Sequence, residues 1–378
     1  MNSAFITTYL NDDILNQIKT DKDQYINIFL DVRSLVPAFF NENVLKLIVN
    51  DQESMTLYIR KSIYNFFKYL DFHYHLCLEK HGLTPRFFFF SDSGESTFHK
   101  QIDKEYKSNR KQSFIILTEE EYYRSKQMVN GLLQTLANAF SFIPGVFYIH
   151  LNYLESDFVP YYILQNFNFN PENEIFIVKS RDKDLGQCLS IYPEKSFQVF
   201  RDSKRGLMIL NHKQVISFHF LKTLEETNQP SQLVPLYLSI AGDSSDNVIG
   251  IKGIGYKKLH SLIEEGNIQD WSLDNFENLE KLLSIKPTKK SNQTTLSKIQ
   301  SNIDLVRKNL KLTDFKYLSD NLNAEFVIRI NQCFKKEYEL TKESIKQYAQ
   351  QLKEVIDDNV YFYHLMTYLY GLLEIPKL

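Results

Sequence analysis

Cysteine is scarce in this chain, and what there is stands apart. Cys77, Cys188 and Cys333 are the three in 378 residues, with no Cys-x-x-Cys pair. That argues against a disulfide framework or a zinc finger and fits a reducing compartment. No apolar run approaches the ~20 residues that cross a bilayer, and no N-terminal segment joins basic residues to an apolar core. The chain therefore reads as soluble and intracellular. No charge dominates either. Lys and Arg number 44 against 46 Asp and Glu, a net charge of −2, which excludes a wholly basic nucleic-acid coat but not local basic patches. Glycine (12) and tryptophan (1) are few beside 29 Phe and 23 Tyr, a bias to which no function attaches. At 43% hydrophobic, the chain can bury one large core or two modest ones.

What is present alternates. "YINIFLDV" (Tyr25 to Val32), "PRFFFFSD" (Pro85 to Asp92) and "EIFIVKSRDKD" (Glu174 to Asp184) each hold a continuous apolar run, as expected of strands covered on both faces. Between the first two, a helical pattern stops at Gly82; between the second and third, "LTEEEYYRSKQMVNGLLQTLANAF" opens with Thr118 and Glu121 at capping-box spacing. The pattern predicts an α/β fold with a central, mainly parallel sheet flanked by helices. "KPTKKSNQTT" (Lys286 to Thr295) reads as a loop, and the sequence past Leu318 is helical and charged.

Ligands of open parallel sheets gather outside the carboxyl ends of strands, and the three predicted strands deliver Asp31, Asp92, and Asp182 with Asp184 there. "LNYLESDF" adds Glu155 and Asp157, and "GDSSDN" adds Asp243 and Asp246, which share a face if that segment is helical. Singly, each acid has a plain reading as a turn former or helix cap. Together they are eight carboxylates with no His or Cys among them. Such a group cannot share a small volume without cations. All-oxygen ligation suits Mg²⁺ or Mn²⁺, and an acidic cluster holding two such ions serves in-line displacement at a phosphodiester.

"GIKGIGYKKLHSLI" comes directly after. Gly253 and Gly255 permit a tight turn between two short helices, at which backbone N–H groups can approach a phosphate. Lys252, Lys257 and Lys258 surround it with charge that adds affinity without reading sequence. In "FHKQIDKEYKSNRKQ", Lys100, Lys104, Lys107, Arg110 and Lys111 recur at helical spacings with Tyr106 interleaved. Alone this is a solvated amphipathic helix. Beside a metal cluster it can instead reach a scissile phosphate, with Tyr106 stacking on an unpaired base.

These ordered motifs resemble the flap-endonuclease family of structure-specific 5′ nucleases, which includes bacteriophage exonucleases and the 5′-nuclease domain of bacterial DNA polymerases. The resemblance runs from about Tyr25 to Leu318. "FLDVRSLVPAF" and "FFSD" match the first two metal-binding segments. "EYKSNRK" resembles Tyr-Lys-x-Asn-Arg, "LESDF" resembles Glu-Ala-Asp-Asp, and "SRDKDLGQ" resembles Gly-Asp-Lys-Asp. "GDSSDNVIGIKGIGYKK" matches the last metal acids and a helix–hairpin–helix DNA clamp. Three positions depart: Phe158 replaces the final aspartate, Arg181 a glycine, and Val32 a common glycine.

The resemblance implies a PIN-like fold with a helical arch, and two Mg²⁺ or Mn²⁺ ions on Asp31, Asp92, Glu155, Asp157, Asp182, Asp184, Asp243 and Asp246. It implies a catalytic role for Lys107, Arg110 and Tyr106, and K⁺ at the hairpin. Lys104, Lys111, Lys252, Gly253, Gly255, Lys257 and Lys258 would bind DNA. The implied substrates are 5′ flaps, nicked duplex and RNA–DNA primer junctions in replication or repair. The expected division is an N-terminal extension (1–24), a nuclease core (25–235) with its arch at about 99–140, a helix–hairpin–helix region (236–318) and a helical extension (319–378). That extension suits packing or a replication partner, and the chain is expected to be monomeric. A rival reading, suggested by Phe158, is a relative that grips branched DNA without efficient cleavage. A ribonuclease on a similar sheet is disfavoured by the hairpin motif.

Overall fold

In the computed structural model, which describes residues 10–32, 45–46, 49–108, 117–140, 143 and 145–334, the apolar runs form the middle of a six-stranded sheet. Strands β1 (Tyr25–Asp31), β2 (Thr84–Ser93), β3 (Val146–Asn152), β4 (Glu174–Lys179), β5 (Ser196–Asp202) and β6 (Gly206–Leu210) lie in the order β3-β2-β1-β4-β5-β6. The first five are parallel to their neighbours, and β6 pairs antiparallel with β5. The expected mainly parallel sheet is present, with β3, β5 and β6 added to the three strands read from sequence.

Helices cover both faces. Helix α1 (Asp12–Ile18) precedes β1, and α2 (Gln52–Tyr74) with a π-helical turn (His75–Lys80) leads to β2. Between β2 and β3 come α3 (Thr97–Ile102) and α4 (Glu119–Phe140), and between β3 and β4 comes α5 (Val159–Asn166). Among the described residues, seven α-helices come after β6: α6 (Val234–Ala241), α7 (Tyr256–Gly266), α8 (Asn275–Leu283), α9 (Lys290–Ser301), α10 (Ile303–Thr313), α11 (Phe315–Asp320) and α12 (Ala324–Phe334).

Successive strand residues face opposite ways, so the sheet separates two apolar layers. Ile28, Leu30, Phe87, Phe89 and Ile177 pack with α1, α2 and α4. Phe29, Phe88, Phe90, Leu151 and Val178 pack with α5, α6 and α7. By the same alternation Asp31 and Asp92 fall on the second face, beneath the C-terminal helices. Helix α1 lies within the expected N-terminal extension, yet its Ile14 and Leu15 are buried in the first layer. The capping box at Thr118 forms, with Glu121 Oε2 accepting from Thr118 N at 2.9 Å and Glu121 N donating to Thr118 Oγ1 at 3.2 Å. Of the stretch assigned to an arch, 109–116 lie outside the described residues. The far half of α4 belongs to the core, where Leu132, Leu133, Leu136 and Phe140 are buried.

The connection out of α6 is unusually tight. That helix stops at Gly242 (φ 86°), and the chain doubles back so that Asp243 and Val248 exchange both backbone hydrogen bonds at 2.8 Å. Gly250 then passes against the end of α6, where a Cβ would stand 2.2 Å from the Ala241 carbonyl. Buried Asn309 of α10 fastens the same crossing by donating to Ser239 O (2.9 Å) and Ile249 O (2.8 Å). Such a clash cannot be relieved without moving backbone, so Gly250→Ala is expected to destabilise the fold by about 1–3 kcal/mol. Gly255→Ala, with no atom near its would-be Cβ, should be close to neutral. Denaturant melts of the two variants check this, and equal stabilities would refute the close approach.

Candidate metal centre and its basic surround

The acids arrive at the carboxyl edge from four strands and one turn. Asp31 closes β1 and Asp92 lies one residue from the end of β2. Asp92 Oδ2 is held by Ser156, which donates its backbone N (2.9 Å) and its hydroxyl (3.1 Å). Glu155 and Asp157 occupy the short link from β3 to α5, a helix started by Pro160 in its first turn. After β4, Asp184 N donates to Asp182 Oδ1 at 3.1 Å. The 242–250 turn supplies Asp243 and Asp246, whose carboxylates are buried. A helical face is therefore not what brings these last two together. The antiparallel bridge folds the segment into a turn, and Ser245 donates its N (3.0 Å) and hydroxyl (2.6 Å) to Asp243 Oδ1.

Oxygen atoms of Asp184, Asp243 and Asp246 lie within 4.8 Å of one another, close enough to hold a metal ion. Asp184 Oδ1 is buried with no hydrogen-bond donor, and the Lys183 ammonium stands 3.9 Å from it. An orphaned buried carboxylate oxygen is the kind of atom a hard cation satisfies. Burial first, and then the neighbouring Asp182, push the Asp184 carboxyl well above its ordinary value. Asp157 is pushed the same way by burial, with Asp182, Asp92 and Asp31 adding to it. Asp184, Asp243 and Asp246 thus form one close group, and Asp157 lies within range of the charges of Asp182, Asp92 and Asp31.

Two lysines lie among these acids. Lys107 Nζ sits 2.7 Å from Glu155 Oε1 and 3.2 Å from Asp246 Oδ2. Lys183 Nζ sits 2.9 Å from Asp243 Oδ2. Burial pulls the Lys183 ammonium toward losing its proton, but Asp184 and Asp243 outweigh that pull and hold the group above its ordinary range. Tyr106 completes the arrangement, donating its hydroxyl to Glu155 Oε2 (3.1 Å) or Asp246 Oδ2 (3.2 Å). Burial and those carboxylates raise its phenol well above the ordinary value, so it remains a donor.

The basic segment differs from its sequence reading. Helix α3 ends at Ile102, and 103–108 form turns that dock on the acid turn. Lys107 (φ 54°) donates its N to Asp246 O at 2.9 Å, and Asn247 Nδ2 donates to Glu105 O (2.7 Å) and Ser108 Oγ (3.1 Å). The stripe is consequently not one helical face. Lys104 is exposed, while Arg110 and Lys111 lie outside the described residues. Tyr106 is buried, its ring stacked on His99 at 4.6 Å, so it has no open face for a base and instead positions carboxylates. Burial keeps the His99 imidazole below its ordinary value and hence neutral.

The glycine turn lies between α6 and α7, but the connection spans 242–255 and contains the acid turn as well. It is longer than the tight hairpin expected. Lys252, Gly253, Gly255, Lys257 and Lys258 are all exposed, Gly253 with φ 84°. Lys298 of α9 joins them, its Nζ 3.2 Å from where a Gly253 Cβ would lie. Sequence reasoning missed Lys183, Lys298, Ser156 and His99. Only Lys183, flanked by two acids in "DKD", carried a local signal. Phe158 is fully buried in the second apolar layer, away from solvent, as the N-cap residue of α5.

No protein-family model matches the chain. It is 30% identical over 223 residues to a 5′-3′ exonuclease of Mycoplasmopsis pulmonis (strain UAB CTIP), covering 59% of this chain and 60% of that protein. A 5′-3′ exonuclease of Mycoplasma genitalium is 30% identical over 154 residues, 39% of this chain and 50% of the relative. The chain therefore matches only 50% to 60% of the length of these curated relatives. Among solved structures, the T5 5′-exonuclease with zinc bound aligns with a TM-score of 0.53 at 18% identity, covering 82% of this chain and 97% of that one. The bacteriophage T5 flap endonuclease in complex with DNA and metal ions gives 0.51 at 16% identity, covering 88% and 100%. These two likenesses establish a shared fold.

The crowded carboxyls set a pH dependence. Asp157 and Asp184 hold protons above the ordinary aspartate value of 3.8. Above that pH the folded state binds more protons than the unfolded one, so metal-free stability should decline as pH rises. Tm measured in EDTA is expected to fall from about pH 5 to about pH 8, and added Mg²⁺ to restore it, by about 2.7 kcal/mol at a hundredfold excess over Kd. Asp184→Asn should flatten the EDTA profile and abolish most of the Mg²⁺ effect. A flat wild-type profile with no response to Mg²⁺ would refute the site.

Proposed function

We propose that this chain, a relative of the 5′-3′ exonuclease and flap-endonuclease family built on the fold of the T5 5′ nucleases, is a divalent-metal-dependent structure-specific 5′ nuclease. It would hydrolyse phosphodiesters of flapped, nicked or RNA-primed DNA during replication or repair. The observation that carries this reading is the convergence of Asp184, Asp243 and Asp246 within 4.8 Å, with Lys107 spanning Glu155 and Asp246 beside them.

The donor set, all carboxylate oxygen with one oxygen orphaned, fits Mg²⁺ or Mn²⁺. Asp184, Asp243 and Asp246 would hold one ion, and Asp31, Asp92, Asp157 and Asp182, with Glu155 beside them, a second. Bound ions would lower the pKa of an attacking water and neutralise charge on the leaving oxygen. Lys107 can exchange a carboxylate for a phosphate oxygen and so stabilise the charge that develops there. Tyr106 keeps Glu155 and Asp246 oriented while the ammonium moves. Arg110 would assist Lys107 at the phosphate. As the water oxygen bonds to phosphorus it releases a proton to solvent, one P–O ester bond breaks, and the departing alkoxide takes up a proton from solvent.

Duplex would lie along the exposed turn of Lys252, Gly253, Gly255, Lys257 and Lys258, with Lys104 and Lys111 extending the contact. A K⁺ ion at this turn would have to displace the Lys258 ammonium, from which Gly253 O accepts at 2.8 Å. A monomer in an intracellular compartment suits this role, with the sequence past Leu318 as the segment that would meet a replication partner.

The test is cleavage of a 5′-labelled flap duplex in Mg²⁺. Short products released near the junction are expected, absent in EDTA and in Asp184→Asn. Lys107→Ala should lower kcat by about 10²–10³. The pair Lys257→Ala and Lys258→Ala should weaken binding and reduce the salt slope by about 2. An intact flap that is nonetheless bound would leave the binding role and refute the nuclease.

A further inference from the structure

The residue after β3 is out of the ordinary. Tyr153 adopts φ 61° and is 61% exposed. A bulky side chain in the left-handed region is an outlier, and such strain persists only where surrounding contacts over-determine it. They do here. Tyr153 N donates to Ser93 O at 2.7 Å, and its carbonyl accepts from Thr97 N (2.9 Å) and Thr97 Oγ1 (3.2 Å). The ring rests against Gly94, where a Cβ would come within 2.8 Å of Tyr153 Cδ1. Gly94 itself has φ 81°. Two unusual backbone positions on adjacent strand ends therefore combine to seat one aromatic ring and leave most of it in solvent.

Its position is as informative. Tyr153 is two residues from Glu155, and the Ser93 that binds it comes directly after Asp92. Thr97, which binds its carbonyl, begins the helix leading to Tyr106 and Lys107. Of the other well-exposed aromatic side chains among the described residues, Phe72 and Tyr123 lie on helices; Tyr153 is the one at the carboxyl edge of the sheet. A solvent-facing ring on backbone pinned between Ser93 and Thr97, two residues before Glu155, suits a flat apolar ligand attached to a phosphate.

We infer that Tyr153 is a stacking platform for an unpaired nucleobase of the strand being cut, holding the nucleotide next to the scissile phosphate. The inference rests on the nuclease reading and names a contact within it. Stacking is blind to base identity because every base has a π-face. It distinguishes an unpaired base from a paired one, since a base within a duplex already stacks on its neighbours. The platform would therefore favour flaps and frayed ends over intact duplex.

The test uses the full chain and a flap duplex carrying 2-aminopurine at the unpaired nucleotide beside the junction, with a matching abasic substrate. Wild type should quench the probe in Ca²⁺ and cut the flap in Mg²⁺. Tyr153→Gly removes the ring and relieves the backbone, so a fold at least as stable as wild type is expected. KM should rise about 5- to 150-fold with quenching lost, and Tyr153→Phe should restore both. On the abasic flap, wild type and Tyr153→Gly should perform alike. A Tyr153→Gly enzyme with wild-type KM and quenching would overturn the stacking role while leaving the nuclease intact. A wild type that neither binds nor cuts the flap would overturn both.

Discussion

Like charges forced into one small volume govern this molecule. Two carboxylates 4 Å apart repel by about 4 kcal/mol at the effective dielectric of a protein surface. Asp31, Asp92, Asp157, Asp182, Asp184, Asp243 and Asp246 are nonetheless brought to one sheet edge. The fold tolerates this in three ways. Asp157 and Asp184 are pushed toward the protonated form. Lys107 and Lys183 are drawn in as internal counter-ions. Hydroxyl and amide donors from Ser156, Ser245 and Tyr106 fix individual oxygens. None of these gives Asp184 Oδ1 a hydrogen-bond donor, which is why a cation is the natural complement of the arrangement.

The scaffold that holds such a cluster has to be stiff, and the aromatic surplus supplies the stiffness. Phe29 stacks on Phe88 at 4.6 Å and Phe88 on Phe147 at 4.9 Å, tying three neighbouring strands on the face that carries Asp31 and Asp92. Phe158 belongs to the same layer. Where the resembled motif has a further aspartate, this chain buries a ring at the foot of the site. At that position the acids are not joined by one more charge.

Docking of the 103–108 segment on the acid turn couples the basic and acidic halves. The hydrogen bond from Lys107 N to Asp246 O and the pair made by Asn247 place the Lys107 ammonium between two carboxylates. The ion pair of Lys308 with Asp103 (2.7 Å) ties the start of that segment to α10, the helix whose Asn309 fastens the glycine crossing. A substrate phosphate that recruits Lys107 would thus act on a preassembled loop.

Much of this was legible along the chain. The runs of β1, β2 and β4 announced themselves because both faces of a central strand are buried, and an acid at each end came with the same reading. Strand β3 did not, since His150 interrupts its apolar run; its partner is Ser91 on the adjacent strand, with Ser91 Oγ 2.9 Å from His150 Nδ1, which no local pattern reveals. The basic segment misled in the opposite way. Its lysines keep helical spacing, but contacts about 140 residues further along bend it into turns. By itself the sequence determined the three central strands β1, β2 and β4, the kinds of ligand atom and the glycines of the exposed turn, because periodicity and composition act locally. Only the tertiary structure decided which acids meet, that Tyr106 is buried while Tyr153 is exposed, and which lysines stand among the carboxylates. Those outcomes depend on long-range packing and on the balance of charge in a shared, partly desolvated space.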